Sequence, residues 1–456
     1  MDASAPFDRW MCPDHAPLTA GHAPLTPARR SLLRASALLP PFALALTACG
    51  GEGGQGGEPD LVAELPRAEP GPAEGAGDLV IPFTAALLGA IDRAEVNAVC
   101  SPLSAQVALT MVGMGAAGQT LAQMEKTLGG GMDELAASAN TLSQQLAVIG
   151  DAEREKEDDE APEPARASLV NGTWLQEGLE VQDAFLEDLA TWFGSGLWEA
   201  DFTEQGAREE AREEINGWVA DSTDDLIEEL VPEDALSPTT RLVLVNALHL
   251  KAAWPQELTT SGGTFTTTDG EERSAEMLHG STSTWYEDEV CRATSLDTYG
   301  GDLALALVQP AAEVAEVLDA WAEDSAGLSA LLSGLEDSEA STQLTVPAFD
   351  IDWDASLKEI LEGLGMTEAF GGSADFSGIT GAADLRITDV VQKAVITIDE
   401  QGMEAAAATA VMVGETSLPV LEQELLLDSP FLFVAYERET RAPLVVGWIG
   451  DPTQTR

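Results

Sequence analysis

Few side chains of this 456-residue chain have the types and the spacing that enzymes use for chemistry. Two of the four histidines stand near the amino terminus, and the other two, His249 and His279, are far apart along the chain. A zinc site needs several cysteine or histidine ligands at short spacings, and the chain after residue 78 has no such cluster. It also has no glycine-rich phosphate loop followed by lysine and no G-x-S-x-G nucleophile turn. The sequence therefore predicts no metal site, no cofactor and no legible catalytic centre.

Carboxylates are abundant but do not single out a site. The chain has 79 acidic and 22 basic residues, for a formal net charge of −57, so acidic pairs of the kind that glycosidases use occur throughout. This charge argues against nucleic acid, heparin and anionic membrane surfaces as partners. It suits a protein that works in high salt, because hydrated carboxylates hold water at the surface and salt screens their repulsion. A saline habitat is therefore a hypothesis.

The elements that would hold any site form a mixed pattern. Predicted helices cover 79–90, 101–115, 118–128, 132–149, 182–193, 206–220, 314–333 and 355–363. Predicted strands cover 167–175, 241–250, 263–268, 273–279, 283–297, 303–309, 342–351, 391–398, 430–437 and 443–449. The apolar run at 241–250 is typical of a strand buried on both faces. Helices gathered early and antiparallel strands late predict one α+β domain at 79–456 rather than a doubly wound sheet.

A segment of small residues, EQGMEAAAATAVMVGETSLP at 400–419, lies between two of these strands. Its four consecutive alanines favour a helix. Its glycine at 402, its β-branched Val411 and Val413 and its closing Pro419 do not. Local propensity thus leaves a helix, a strand and a flexible linker open.

The amino-terminal end has the features of an export signal at 1–48. A basic start at Arg29 and Arg30 precedes an apolar run at 35–48 that is too short to span a membrane. The run ends in small residues before Cys49, which resembles a bacterial lipoprotein cleavage site, and the paired arginines resemble a twin-arginine signal. The alternative is an ordinary secretory signal with a chance cysteine. Residues 49–78, rich in glycine and acid, are predicted to be a flexible tether.

These features predict an exported bacterial protein, extracellular or lipid-anchored at the cell surface, with membrane contact through the anchor alone. Two cysteines, Cys100 and Cys291, lie in the domain. They could pair in an exported protein, but each is flanked by strand-like or core-like sequence. We interpret them as separate buried thiols.

Six motifs, in order from about residue 79 to the end, resemble the serpin family of protease inhibitors. They lie at 97–104 (NAVCSPLS); 244–246 with Lys251 and Trp254; 344–349 (LTVPAF); 364–370 with 375–379; 395–400 (VITIDE); and 429–433 with 447–452. One such motif is a weak signal, whereas six in register are specific.

The resemblance implies a serpin fold: three β-sheets, A to C, with eight or nine helices and an exposed reactive-centre loop, in a monomer. It implies an inhibitor of serine proteases rather than an enzyme. The loop of such a protein is cut by its target and inserts as a new strand into sheet A. The alternative is a non-inhibitory serpin that serves as a surface binding or carrier protein.

Under this resemblance the segment at 400–419 is the reactive loop. Its hinge comprises Glu400, Gly402, Met403, Glu404, Ala405, Ala406, Ala407, Ala408 and Thr409. A strand that enters a packed sheet points alternate side chains into the core, and the uncharged set with the parity of Met403 suits that face. The small side chains limit overpacking, and Gly402 gives backbone freedom where the loop bends.

The family's spacing from the hinge glutamate places the scissile bond at Thr416-Ser417, with 402–415 as the inserted segment. Lys and Arg are absent between Gly402 and Glu437, so a trypsin-type pocket has nothing to bind. Small Thr416 suits an elastase-like or subtilisin-like protease. Cysteine proteases also remain candidate targets, since the trap works on any acyl-enzyme; cleavage after Met412 would favour turnover.

Five further residues match the family's sheet-opening positions: Ser101, Ser104, Asn246, Gln392 and Trp254. Glutamine at 392 replaces a histidine that is frequent there, so this position cannot titrate. A lysine that often pairs with the hinge glutamate is replaced by Ala348. Glu400 is therefore expected to lack its ion-pair partner.

Overall fold

The computed structural model describes residues 58–149, 162, 164–223, 227–233, 235–381, 385–403 and 422–456. These residues contain nine α-helices: α1 (Val80–Ala90), α2 (Pro102–Gly113), α3 (Gly118–Leu128), α4 (Met132–Ile149), α5 (Asp183–Asp188), α6 (Gln205–Ser222), α7 (Val314–Glu323), α8 (Ala326–Glu336) and α9 (Lys358–Gly363). A π-helical turn, Leu189–Phe193, continues α5.

Sixteen strands lie in the same residues: β1 (Asn97–Cys100), β2 (Arg166–Gln176), β3 (Trp198–Ala200), β4 (Leu242–Ala253), β5 (Thr259–Thr266), β6 (Glu272–Thr282), β7 (Tyr286–Glu287), β8 (Cys291–Asp297), β9 (Leu303–Pro310), β10 (Thr342–Pro347), β11 (Phe349–Ser356), β12 (Val391–Ile398), β13 (Gly402–Met403), β14 (Gln423–Leu426), β15 (Phe431–Glu437) and β16 (Pro443–Ile449). They form three sheets, which agrees with the predicted α+β class.

Sheet A has the strand order β11-β12-β13-β4-β2-β3, sheet B has β1-β16-β15-β9-β8-β7, and sheet C has β14-β10-β6-β5. Helix α2 is buried along its whole length, among elements that include β4 of sheet A and β16 of sheet B. Pro102 occupies its first turn, where the missing N–H is not needed. A helix covered on every side has to satisfy its few polar side chains internally, and Gln106 does so by donating to the Leu79 and Leu128 carbonyls.

Helix α6 covers the other face of sheet A. Its apolar stripe, with Ile215 and Val219 fully buried, packs on a cluster that includes Trp174 and Trp198. The rings of these two tryptophans stack with centroids 4.9 Å apart. The opposite face of α6 is acidic and exposed, so its burial pattern is that of an amphipathic surface helix.

Three predicted elements are divided in the structure. The predicted strand at 342–351 changes sheet at Ala348, since β10 belongs to sheet C and β11 to sheet A. The predicted helix at 314–333 breaks into α7 and α8, and the predicted strand at 283–297 into β7 and β8. Apolar periodicity continues across each break, so it does not reveal a change of direction.

Part of the stretch predicted as a tether, 49–78, packs against the domain. From residue 58 the chain follows the edge of sheet A and helix α4, and Leu61 exchanges two backbone hydrogen bonds of 3.0 Å with Leu197. The Arg67 guanidinium donates to Asn140 Oδ1 at 2.9 Å and to the Ser143 hydroxyl. We call residues 58–75 the amino-terminal strap.

The two cysteines of the domain are free thiols, as interpreted from the sequence. Cys100 lies in β1 and Cys291 in β8, and both are buried. Burial raises the pKa of each thiol far above its usual value, so neither forms a thiolate at neutral pH. Separately, no helix in the described part of the chain is long and apolar enough to cross a membrane.

Candidate functional site

The described end of the hinge, Gly402 and Met403, lies at one end of sheet A, between its two central long strands β4 and β12. Gly402 pairs with Ala253, and Met403 pairs with both Ala252 of β4 and Ile398 of β12. The hinge is therefore already a two-residue strand, antiparallel to both neighbours. The Met403 side chain is 1% exposed, so it points into the core.

Toward the other end of the sheet the same two strands meet directly. Leu244 of β4 and Val390, which precedes β12, form a parallel bridge. Neighbouring strands lie about 4.8 Å apart, so a strand inserted here would roughly double that separation. Sheet A is thus separated by the hinge for two residues at one end and joined by the Leu244–Val390 bridge toward the other.

Gly402 occupies a position with no room for a side chain. An added Cβ would lie 2.2 Å from the Ala252 carbonyl oxygen and 3.0 Å from the Ala253 Cα. Its φ angle lies outside the left-handed region. Close approach of two backbones explains this glycine, rather than the bending freedom that the sequence suggested.

Glu400 and Ala348 lie near each other at the hinge end. Ala348 immediately precedes Phe349, which pairs with Ile398, so it stands across from the turn that holds Glu400. The Glu400 carbonyl accepts from the Leu258 N–H at 2.8 Å. Among the described residues, the ion pairs found do not include the Glu400 carboxylate.

The structure brings Ser101 and Gln392 together. The Ser101 N–H donates to Gln392 Oε1 at 3.1 Å, and Gln392 Nε2 donates to the Ser101 carbonyl at 2.8 Å. The pair joins the start of α2 to β12. The hydroxyls of Ser101 and Ser104 are buried without a hydrogen-bond partner in the described part of the protein. Asn246 pairs with Asn171 of β2 through its backbone, and its side chain lies outside the description.

Trp254 does not belong to that group. It follows the far end of β4, eight residues from Asn246, or about 26 Å along a strand. Its indole Nε1 donates to the Asp399 carbonyl at 3.0 Å and its backbone N–H to the Gln401 carbonyl at 2.8 Å. The residues predicted to form one sheet-opening cluster therefore lie in two separate groups, and Trp254 lies beside the hinge turn.

The remaining hinge residues and the two residues of the predicted scissile bond lie outside the described residues. These are Glu404, Ala405, Ala406, Ala407, Ala408, Thr409, Thr416 and Ser417, and the same holds for Cys49. The chain is described again from Glu422, where β14 runs parallel to β10 in sheet C. The segment between Met403 and Glu422 thus connects sheet A to sheet C.

The ring of His279 contacts hydroxyl groups, and His249 lies within sheet A. The His279 ring lies between the hydroxyls of Ser261 (2.7 Å) and Thr345 (3.0 Å), and no carboxylate of the described residues orients it in the way that activates a nucleophile. His249 is buried in β4. The described residues also contain no group of three His, Cys, Asp or Glu side chains that could hold a metal ion.

Comparisons with known proteins agree with this architecture. A family model described as Serpin (serine protease inhibitor) matches residues 80–452. The chain is 30% identical over 384 residues to a serine protease inhibitor of Cyanea capillata, across 82% of this chain and 97% of the relative. It is 28% identical over 374 residues to the leukocyte elastase inhibitor of Bos taurus, across 78% and 93%.

Two solved structures are also similar. The thermophilic serpin tengpin in its native state superposes with a TM-score of 0.72 at 23% identity, over 84% of this chain and 97% of that one. Thyroxine-binding globulin in complex with thyroxine gives 0.68 at 26% identity, over 83% and 100%. The expected fold is confirmed, and with a family model that spans nearly the whole domain, the chain belongs to the serpin family.

Proposed function

We propose that the protein inhibits serine proteases as a suicide substrate. The observation that carries the proposal is the seat of Gly402 and Met403 between β4 and β12, where a loop strand would begin. The catalytic serine of the target attacks the Thr416 carbonyl, the bond to Ser417 breaks, and the protease is left as an acyl-enzyme on Thr416. The protein acts in this scheme as a substrate, not as an enzyme.

Insertion then removes the acyl-enzyme from productive chemistry. The segment 402–415 becomes a complete strand of sheet A, and the protease attached to Thr416 is dragged along the sheet before water can release it. The Leu244–Val390 bridge must open first. The new strand gains backbone hydrogen bonds on both sides, which a sheet edge or a free loop lacks.

The loop sequence supports a target with a small or shallow specificity pocket. Thr416 is small and β-branched, and no basic residue follows Gly402 before Arg438. The pocket of an elastase-like or subtilisin-like protease suits the Thr416 side chain. A cysteine protease also forms an acyl-enzyme, so it could be trapped in the same way. Thr416→Arg should redirect inhibition toward trypsin, whose pocket binds a basic side chain.

The direct test is incubation of the protein with elastase and with subtilisin. The proposal expects a complex that survives SDS, and a cut after Thr416 in mass spectrometry. Cleavage elsewhere would overturn the assignment of the scissile bond to Thr416-Ser417. Cleavage at Thr416 without any covalent complex would overturn the inhibitory function itself.

A matched pair of loop variants separates insertion from cleavage. Ala407 has the inward parity of Met403, whereas Ala408 has the opposite parity. Ala407→Asp would bury an unpaired charge and should convert the inhibitor into a substrate. Ala408→Asp leaves its charge facing solvent and should still trap the protease. Equal trapping by both variants would contradict insertion with this parity.

A carrier function is the second candidate, because one structural neighbour is thyroxine-binding globulin, solved with thyroxine bound. Such a serpin would keep the fold without needing an insertable loop. Its loop would be cut by proteases without a covalent complex. Incubation with elastase therefore separates the two functions.

We also propose that the protein is exported and anchored at the bacterial surface through a lipid on Cys49. The support is the basic and apolar sequence that precedes this cysteine. Labelling cells with a radioactive fatty acid should mark the wild type and not Cys49→Ser. Equal labelling, or none in either, would overturn the anchor and leave an ordinary secretory signal.

A further inference from the structure

A four-residue turn, 399–402, reverses the chain between β12 and β13. All four of its carbonyl oxygens accept hydrogen bonds. The donors are Trp254 Nε1 to Asp399 (3.0 Å), Leu258 N to Glu400 (2.8 Å), Trp254 N to Gln401 (2.8 Å) and Asp399 N to Gly402 (3.1 Å). Three of these four donors belong to the segment after β4, so this segment binds the turn at three successive residues.

The Asp399 carboxylate completes the turn from inside. Its Oδ1 accepts from the backbone N–H of Gln401 at 2.8 Å and from that of Gly402 at 2.9 Å. An aspartate that binds backbone N–H groups two and three residues ahead stabilises a turn, and the charge strengthens both bonds. A side chain outside the loop's inserted segment therefore fixes where that segment starts.

We propose that Asp399 is a positioning residue for loop insertion, one that sets the register of the new strand before the target cuts the loop. This inference rests on the proposed inhibitory function. The turn leaves Met403 opposite Ile398, with its side chain buried. Every later inward position follows from that pair, because side chains alternate strictly along a strand.

Register matters here because the two parities differ in charge. With Met403 inward, the next inward positions are Ala405, Ala407 and Thr409, all uncharged. A slip of one residue would turn the other set inward and would bury the Glu404 carboxylate. A loop that starts from the wrong register would insert slowly, and the acyl-enzyme would hydrolyse first.

The signal for this role was present in the sequence, in Asp399 and Gly402 at the first and fourth positions of a turn. The family motif directs attention to Glu400 instead. The carboxylate of Glu400 makes no ion pair among the residues described. The side chain that holds the hinge is therefore its neighbour.

The test compares Asp399→Ala with Asp399→Asn, which keeps an oxygen acceptor in the same place. Asp354→Ala is the matched control, since Asp354 is an exposed carboxylate in β11 of the same sheet. The first readout is hydrogen exchange at 402–403 in the uncut proteins. The second is the fraction of cut inhibitor that remains in the covalent complex with elastase, together with the cleavage rate.

We expect Asp399→Ala to lose exchange protection at the hinge by roughly tenfold or more, given the strength of hydrogen bonds to a charged group. Its covalent fraction should fall by a similar factor while cleavage keeps its rate. Asp354→Ala should resemble the wild type, and Asp399→Asn should fall between the wild type and Asp399→Ala, since its neutral oxygen keeps both hydrogen bonds in weaker form. A merely structural role would lower thermal stability without changing this partition.

Unchanged protection and unchanged partition in Asp399→Ala would overturn the inference. If the wild type itself forms no covalent complex, the proposed function fails, and the exchange data then decide the inference alone. Loss of protection in the alanine variant supports Asp399 as the residue that seats the hinge. Retained protection refutes it.

Discussion

At the scale of single residues, two positions near the hinge turn hold very small side chains. Gly402 lies against the Ala252 carbonyl, and Ala348 places no cation across from Glu400, which makes no ion pair among the described residues. The family resemblance pointed to both positions. The structure adds the reason for the first, which is close packing between two strands.

Gly402→Ala should expel the hinge from the sheet. A methyl group 2.2 Å from a carbonyl oxygen cannot be accommodated, and forced overpacking costs about 1–3 kcal/mol. We expect a lower urea midpoint and faster hydrogen exchange at Met403. Gly262→Ala is the control, because a Cβ at Gly262 meets open space. Equal effects of the two substitutions would contradict the tight seat.

Ala348→Lys should stabilise the uncut protein by supplying the cation that Glu400 lacks. Both positions are half-buried, and an ion pair near the surface contributes about 0.2–1 kcal/mol. The gain should appear in the urea midpoint at low salt and shrink at high salt, because salt screens the pair. Ala348→Met, which adds a similar stem without charge, should give no salt-dependent gain. A rise in the urea midpoint that is the same at low and high salt would refute the ion pair.

At the scale of elements, the amino-terminal strap is the largest departure from expectation. Its composition of glycine, proline and acidic residues predicts flexibility, yet Ala68 N–H donates to the Thr191 carbonyl of the π-helical turn at 2.7 Å. Gly196 makes room for it, since a Cβ there would lie 2.5 Å from the Leu61 carbonyl oxygen. The strap extends the edge of sheet A beside β3.

Arg67→Ala should loosen the strap and destabilise the domain. The Arg67 guanidinium donates hydrogen bonds to Asn140 and Ser143 of α4. A hydrogen bond to a charged group contributes about 1.5–3 kcal/mol to the free energy of unfolding. The thermal midpoint should fall, and a protease that cuts near residue 65 should act faster. The control is Arg292→Ala, which removes an exposed arginine bonded to Gln309. Equal midpoints for the two variants would show that the strap adds no stability.

The sequence predicted most long elements and missed short or distant ones for physical reasons. Strand β4 is legible because it is a continuous apolar run, and α2 because of Ser101 and Pro102. Strand β13 has two residues, which is too few for any periodicity. The contact of Arg67 with Asn140 spans 73 positions, and no local pattern encodes such a contact. The sequence grouped Trp254 with Ser101 and Gln392, whereas the structure places it beside the turn at 399–402, because the length of β4 separates the two places.

At the scale of the whole molecule, the large negative net charge should control how stability depends on salt. A net charge of −57 should destabilise the folded chain by self-repulsion at low ionic strength. Added salt shortens the Debye length from about 10 Å at 0.1 M to about 3 Å at 1 M. The thermal midpoint should therefore rise with sodium chloride. A midpoint independent of salt would contradict the hypothesis of adaptation to a saline habitat.

We propose that the uncut protein keeps an unfilled strand position in sheet A. The thermal midpoint before and after the loop is cut tests this proposal. We expect a large rise for the wild type, because residues 404–415 would complete the strand that Gly402 and Met403 begin. Ala407→Asp, cut in the same way, should show little rise. An unchanged midpoint in the cut wild type would contradict insertion and favour a carrier function.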